Sequence, residues 1–481
     1  MKTWTPAALI CLPMLASTSL GSVVQWDIEK RSSGQRLRRR SEKTSHEGVI
    51  TNEKSQGGYF ATISVGTPGQ DLVMQLDTAS SDIWVPYSGA PICDSDCSYG
   101  SCELISINPE NSSTYEMVAE DGFEISYADG SSSDGDYFKD SFQIANTVVH
   151  NLTMGLGRDT TISYGLVGVG YANNEAAVST LGELYANLPI AMKRDGLTNS
   201  IAFSLWLNDL DASKGNILFG GIDRGKYTGP LKTIDVLPYD GAYTHFLVSL
   251  TSIEATSPSG TDILATSNSS LEVILDSGTT LSFLPNDVVQ KMWEEVGAEY
   301  QSKFDMAVLP CSHREHPGHF SFTFGGSNGP VINVTMDELV VDLTDGNQPK
   351  FSSGAYSGEL VCEFGIQNYS TGPYVLGDTF LRSAYVVYDL DNNQVGLAAT
   401  DFNSSTTDIV EFEKSGTEMP GATSATSSSN ETSTVLPTAT RLAAAKGFQD
   451  GDDSNSSTRP IQPIMMALFL AIISLRAMFM A

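Results

Sequence analysis

Two short stretches of this chain set an aspartate in the same company. Val73-Met74-Gln75-Leu76-Asp77-Thr78-Ala79-Ser80-Ser81 is matched by Val273-Ile274-Leu275-Asp276-Ser277-Gly278-Thr279-Thr280. In each, an apolar run ends in Asp, then a hydroxyl residue, a tiny residue and further hydroxyls. Two carboxylates held close together cannot both ionise cheaply, so they share one proton and titrate as a unit. Such a pair can activate a water with one member and donate a proton with the other, which is amide hydrolysis without a metal. To form it, each Asp must sit on a tight loop at a strand end. Thr78 and Ser277 offer hydroxyls that can brace the two loops against each other. Gly278 allows close backbone approach, and Ser80 and Thr279 stand where they can bond the outer carboxylate oxygens. One Asp-Ser-Gly is ordinary turn chemistry. Two such motifs, each behind an apolar strand and about two hundred residues apart, are a far more specific signal.

The segments that must position these loops read as strands. Short β-branched and aromatic runs at 59–65, 71–76, 123–127, 217–219, 273–275, 331–334 and 384–389 are separated by Gly, Asn, Asp and Pro, the pattern of an all-β architecture. Only 178–185 and 287–300 have helical character, the second opened by Pro285-Asn286-Asp287. A second element also repeats. Gly165-Leu166-Val167-Gly168-Val169-Gly170 and Tyr374-Val375-Leu376-Gly377-Asp378 each follow their Asp motif by about a hundred residues. Duplication of a lobe explains both repeats economically.

Further stretches fit the same frame: Trp84 after the first motif, Phe123-Glu124-Ile125-Ser126-Tyr127-Ala128-Asp129-Gly130-Ser131, Asn216-Ile217-Leu218-Phe219-Gly220-Gly221-Ile222-Asp223, and Val375-Leu376-Gly377-Asp378-Thr379-Phe380-Leu381-Arg382. With the Asp motifs, they resemble the pepsin-like aspartic protease family over about 57–402. The resemblance implies an all-β, bilobal fold with few short helices and an active-site cleft between lobes 57–207 and 208–402. It implies Asp77 and Asp276 as the catalytic pair, with Thr78, Ser80, Ser277, Gly278 and Thr279 in support. Tyr127 would be the tyrosine of a flap closing over peptide substrates, with Asp129, Gly130 and Ser131 at its tip. No cofactor and no metal are implied. In fungal members an acid at the place of Asp129 goes with acceptance of Lys or Arg, although Asp-Gly is also ordinary hairpin-turn chemistry.

Two residues depart from the family pattern. Ala79 stands where the first motif has Gly; it keeps the N–H but adds a methyl, and a positive φ there would strain the loop by roughly 1 kcal/mol or more. Ala128 likewise replaces a flap Gly. Ala79 motivates an alternative reading, a catalytically impaired pepsin fold serving as a binding or cell-wall interaction protein. Glycoside hydrolases also use two carboxylates, but they need no duplicated Asp-hydroxyl-small motif. His313, His316 and His319 share no helical face because Pro317-Gly318 interrupts them; they read as a solvated loop rather than a metal site.

Both ends look like processing segments. Residues 1–21 read as a secretory signal, with an apolar stretch from Ala7 to Leu15 and small residues after it. A basic propeptide, 22–40, ends in Arg38-Arg39-Arg40, a site for a kexin-like processing protease after Arg40, with Lys30-Arg31 a second candidate. The propeptide is expected to dock on the acidic body and cover the cleft. Residues 403–458 are rich in Ser and Thr and read as a stalk with no core. The tail 459–481 carries an apolar run from Ile464; with small residues at 454–457 it resembles a glycosylphosphatidylinositol signal, with Asn455 as the lipid site. A tail anchor or a buried helix is the other reading. The whole organisation is similar to yapsins and other surface-anchored fungal aspartic proteases.

Composition agrees with an extracellular protein, and a monomer is expected. Residues 41–455 carry 18 basic and 55 acidic groups, a net of −37, which repels nucleic acid and attracts cationic peptides. Sequons stand at Asn111, Asn151, Asn268, Asn333, Asn368, Asn403 and Asn430, besides Asn455. Cys11 belongs to the signal, Cys311 and Cys362 are expected to pair, and two of Cys93, Cys97 and Cys102 form a second bridge.

Overall fold

The computed structural model describes residues 23–31, 58–93, 106–212, 214–344, 347–425 and 442–450. Arg40, Cys97, Cys102, Asn430 and Asn455 lie outside the described residues, as do the signal and the tail 459–481.

Strands dominate, and the alternation that predicts them is the alternation they bury. In Gly58–Val65 the side chains of Tyr59, Ala61, Ile63 and Val65 point into the core, as a period of two requires. A 14-stranded sheet runs through both halves of the molecule. Its centre holds Val24–Arg31, from the expected propeptide. One edge of that strand pairs antiparallel with Lys214–Phe219, from Val24↔Phe219 to Glu29↔Lys214. Its other edge pairs with Gly58–Val65, from Glu29↔Phe60 to Arg31↔Gly58. Val24, Trp26 and Ile28 are buried while Gln25, Asp27 and Glu29 face out. The strand therefore joins the two lobes; the basic run ending at Arg40, expected to cover the cleft, lies outside the described residues. Lys30 is bound into the structure: its ammonium donates to Leu210 O at 2.5 Å. Burial, followed by the charge of Arg382, lowers its pKa to about 8.

The duplication is visible in the topology. Gln70–Asp77 lies parallel to Leu166–Gly168, with Asp77 opposite Gly168. Gly260–Leu275 lies parallel to Tyr374–Leu376, with Leu275 opposite Leu376. In each half a crossing strand, Ile83–Pro86 or Ser282–Pro285, pairs antiparallel with that short strand. The repeated apolar-apolar-Gly element has a contact reason. A Cβ at Gly168 would lie 2.6 Å from Asp82 O, and one at Gly377 would lie 2.3 Å from both Thr279 O and Leu281 O.

The helices are shorter than expected. Asn286–Val296 buries Val288, Val289, Met292 and Val296 and stops at Gly297, whose φ of 70° makes a left-handed cap. The chain beyond becomes the strand Glu299–Gln301. Around 178–185 only one turn forms, Ala177–Thr180. A helix the pattern did not announce, Leu188–Arg194, begins with Pro189 in its first turn.

The boundary at 402/403 is not a boundary of the packed structure, which corrects the expected stalk over 403–425 and 442–450; the rest of 403–458 lies outside the described residues. Ile409–Glu411 pairs with Gly221–Asp223, and Thr423–Ser424 pairs with Tyr227–Asp235. Phe412 and Met419 join a core cluster with Trp206, Ile222 and Tyr385. A short helix, Ala445–Gln449, buries Phe448 against the second lobe. Few apolar anchors suffice when a neighbouring lobe supplies the rest of the core. The expected solvated histidine loop is also corrected: His313 is buried and stacks on His316 with ring centroids 4.5 Å apart.

Cys311 and Cys362 form a disulfide with an S–S length of 2.04 Å, and Cys93 is disulfide-bonded as well. Asn111, Asn151, Asn333, Asn368 and Asn403 are exposed.

Candidate active site

Asp77 closes the strand Gln70–Asp77, and Asp276 follows the strand Gly260–Leu275 directly. The two halves bring both carboxyls to one buried place, 4% and 6% exposed, close enough for the charge of Asp77 to act on Asp276. Asp77 Oδ1 accepts the N–H of Ala79 at 2.9 Å and of Ser80 at 3.2 Å, and its Oδ2 accepts the Ser80 hydroxyl at 2.5 Å. Asp276 Oδ1 accepts the N–H of Gly278 at 2.7 Å, and its Oδ2 the Thr279 hydroxyl at 2.5 Å. Burial first, and then the charge of Asp77, hold the Asp276 carboxyl well above the usual range, against the opposing bonds from Thr279 and Gly278. Asp77, with three donors, is the better place for the single negative charge, and Asp276 for the shared proton.

The loops are locked across the lobes. Thr78 Oγ1 donates to Leu275 O at 3.0 Å and accepts the Ser277 N–H at 3.0 Å. Ser277 Oγ donates to Leu76 O at 3.2 Å. A further tie went unread in the sequence: Gln75 Nε2 donates to Gly278 O at 3.1 Å. Its signal was present, since a glutamine interrupts an apolar run where the second motif has Ile274.

Ala79 is not strained. It is absent from the residues with positive φ, its N–H serves Asp77, and its carbonyl accepts Asn174 Nδ2 at 3.0 Å.

Above the pair, Glu116–Ser126 and Ser132–Ile144 form a hairpin. Its tip is closed by Tyr127 N–H to Ser131 O at 2.8 Å and Gly130 N–H to Tyr127 O at 3.0 Å, with Gly130 at φ 85°. Trp84 Nε1 donates to the Tyr127 hydroxyl at 2.8 Å, which anchors the ring. Ala128, Asp129 and Gly130 are exposed. Asp129 Oδ1 accepts from Ser131 N at 2.9 Å and Ser131 Oγ at 2.6 Å, so the carboxylate also shapes the turn. Tyr164 was not foreseen either. It packs edge-on to Phe60 at 5.1 Å, and burial, then Asp129, then Asp77 raise its hydroxyl to about 12. Among the described residues, Cys311, Asp342 and Cys362 come within ligand distance of one another, but the two sulfurs are bonded together.

The model of the eukaryotic aspartyl protease family matches residues 58–400. A protein of Aspergillus oryzae described as "Probable aspartic-type endopeptidase opsB" is 38% identical over 439 residues, covering 88% of this chain and 86% of its own. Its counterpart in Aspergillus fumigatus is 39% identical over 390 residues, covering 81% and 77%. Aspartic proteinase yapsin-3 of Saccharomyces cerevisiae is 31% identical over 422 residues, covering 83% and 78%.

Proposed function

The chain belongs to the eukaryotic aspartyl protease family and is an aspartic-type endopeptidase; from that premise we propose a secreted, surface-anchored enzyme that works in acid and accepts basic residues before the scissile bond. The observation that carries the chemistry is the buried, cross-braced pair with unequal donors. Ionised Asp77 takes a proton from water as the water oxygen attacks the peptide carbonyl carbon. Asp276 gives its proton to the carbonyl oxygen. Collapse of the gem-diol breaks the C–N bond: Asp77 passes its proton to the leaving nitrogen while Asp276 takes back one hydroxyl proton, giving a carboxylic acid and an amine and restoring the pair. The relaxed backbone at Ala79 removes the strain that favoured an impaired fold. Acid-pH cleavage of a mixed peptide library, abolished by a statine-type inhibitor, is the expected result; no cleavage would reject the catalytic assignment.

Secretion is supported by the signal-like start, the disulfide chemistry of an oxidising compartment and the exposed sequons. Among the described residues no helix is long and apolar enough to cross a membrane. The proposal of anchoring rests on the apolar tail and the small residues around Asn455. Processing after Arg40 by a kexin-like protease would leave Val24–Arg31 held non-covalently, by its sheet pairing, its buried Val24, Trp26 and Ile28 and the Lys30 contact with Leu210 O.

Specificity for Lys or Arg rests on Asp129 at the flap tip and on the −37 body. Asp129 Oδ1 is used by the turn, which leaves the second oxygen to meet a cation. A carboxylate–cation contact there favours a basic residue by about 1–3 kcal/mol. Peptides with Lys, Arg, Leu or Phe before the scissile bond should separate in wild type and converge in Asp129→Ser. An unchanged preference in the variant would end this part of the reading.

A further inference from the structure

The second lobe carries a groove that one short peptide fills, and the peptide comes from the far side of the Ser/Thr-rich linker. Phe448, wholly buried, lies face to face with Phe320 at 5.3 Å and 19°. A Cβ at Gly318 would stand 2.1 Å from the Phe448 ring, so the glycine is what makes room for it. The peptide backbone is read almost residue by residue. Buried Asp262 accepts the Ala444 N–H at 2.7 Å. Ser257 and Ser259 hydroxyls donate to Ala444 O at 2.6 Å and Ala443 O at 2.8 Å. Ser259 Oγ also accepts the Gly447 N–H at 3.0 Å. His316 donates from Nδ1 to Phe448 O at 2.5 Å.

The last contact completes the lobe itself. A helix leaves its final carbonyls without intrahelical partners. In the helix Asn286–Val296 two of them, Glu294 O and Glu295 O, accept Gln449 Nε2 at 2.9 and 3.0 Å. An aromatic anchor in a fitted pocket, a satisfied backbone and a helix cap together describe a specific peptide site rather than a stray contact.

We propose that this groove and the segment 442–450 form a non-covalent joint, which keeps the catalytic body bound to the chain beyond 450 after the linker 426–441 is cut. The linker consists largely of Ser and Thr, with few large apolar residues. Without the joint, one cut there frees the enzyme; with it, the cut protein stays whole until the groove is emptied.

The test uses the full chain with a site-specific protease sequence replacing residues 432–438, cut to completion and run on a sizing column under native conditions. Peptidase activity marks the body, and mass spectrometry marks the C-terminal fragment. Both should elute together as one monomer-sized species. Phe448→Ala, and Gly318→Ala from the groove side, should lower the retained fraction at least about tenfold, while peptidase activity stays within about twofold. Separation of the wild-type fragments on cutting would overturn the joint. So would retention unchanged in both variants, or a dimer-sized species, which would assign the groove to the segment of a second copy.

Discussion

The loops around Asp77 and Asp276 are copies that do not behave alike. Each braces the other through Thr78 or Ser277, and each gives its outer oxygen a hydroxyl, from Ser80 or Thr279. The inner oxygens differ. Asp77 Oδ1 receives two N–H groups where Asp276 Oδ1 receives one. The third residue differs too, in the sense opposite to what glycine freedom alone suggests. Ala79 carries its methyl on ordinary backbone, whereas a Cβ at Gly278 would lie 2.5 Å from Asp77 Oδ1 and 3.1 Å from Asp276 Oδ1. Gly278 is small because the opposite carboxylate occupies the space, not because its φ demands it. Duplication thus supplies two similar loops, and the unequal donors make their carboxyls chemically distinct.

The largest effect tests the pair as a unit. Asp77→Asn and Asp276→Asn should each lower kcat by at least about a thousandfold with melting temperature retained, because an amide keeps the shape but cannot share the proton. Comparable turnover by either variant would dissolve the division of roles. The third position gives the sharpest comparison. Gly278→Ala should cost roughly a hundredfold in kcat/KM, since about 1 Å of misplacement at the reacting groups is worth that much. Ala79→Gly should stay within about threefold, and equal losses at the two sites would show that the loops are equivalent after all. Gln75→Leu removes the tie to Gly278 O; it should lower kcat by about tenfold, in line with one buried hydrogen bond, with KM less affected. A loss confined to KM would make Gln75 a substrate contact instead.

The smallest effect concerns buried acids beyond the dyad, where the lobes differ again. In the first lobe Asp82 is satisfied by Tyr137 and Tyr185 hydroxyls and the Ala176 N–H. In the second, both oxygens of buried Glu363 lack a partner among the described residues, and burial raises its pKa to about 8. A carboxyl raised in the folded state contributes stability that is full below about pH 4.5 and is lost as pH climbs through 8. The melting temperature should therefore fall between those limits. Glu363→Gln should raise it by roughly 5 °C at pH 7.5 and leave it nearly unchanged at pH 4. A gain of equal size at both values would trace the effect to packing rather than to the proton.

Much of the site was legible because its signals are local and repeated. Both Asp motifs, the hydroxyls that brace them and the flap stretch stand out as residue types at matched positions in two half-chains. Gln75 and Tyr164 did not stand out, since one polar residue in an apolar run, or one tyrosine among many, points nowhere until the opposite lobe is in place. The composition of 403–458 misled for a related reason. Phe412, Met419 and Phe448 are too few to make a core, yet each completes a core that other segments had begun.

The amino-acid sequence by itself determined the two aspartate loops, the all-β architecture and the duplication, because strand alternation and loop chemistry act over a few residues. Only the tertiary structure decided which strand joins the lobes, which aspartate receives more donors and where the C-terminal segment docks. Those outcomes depend on unsatisfied groups meeting across the fold. The backbone edges of 58–65 and 214–219 await Val24–Arg31. The inner oxygen of Asp77 awaits two N–H groups, and the last carbonyls of a helix await Gln449. A buried polar group must find a partner wherever the chain can bring one, and distance along the chain has no say in that.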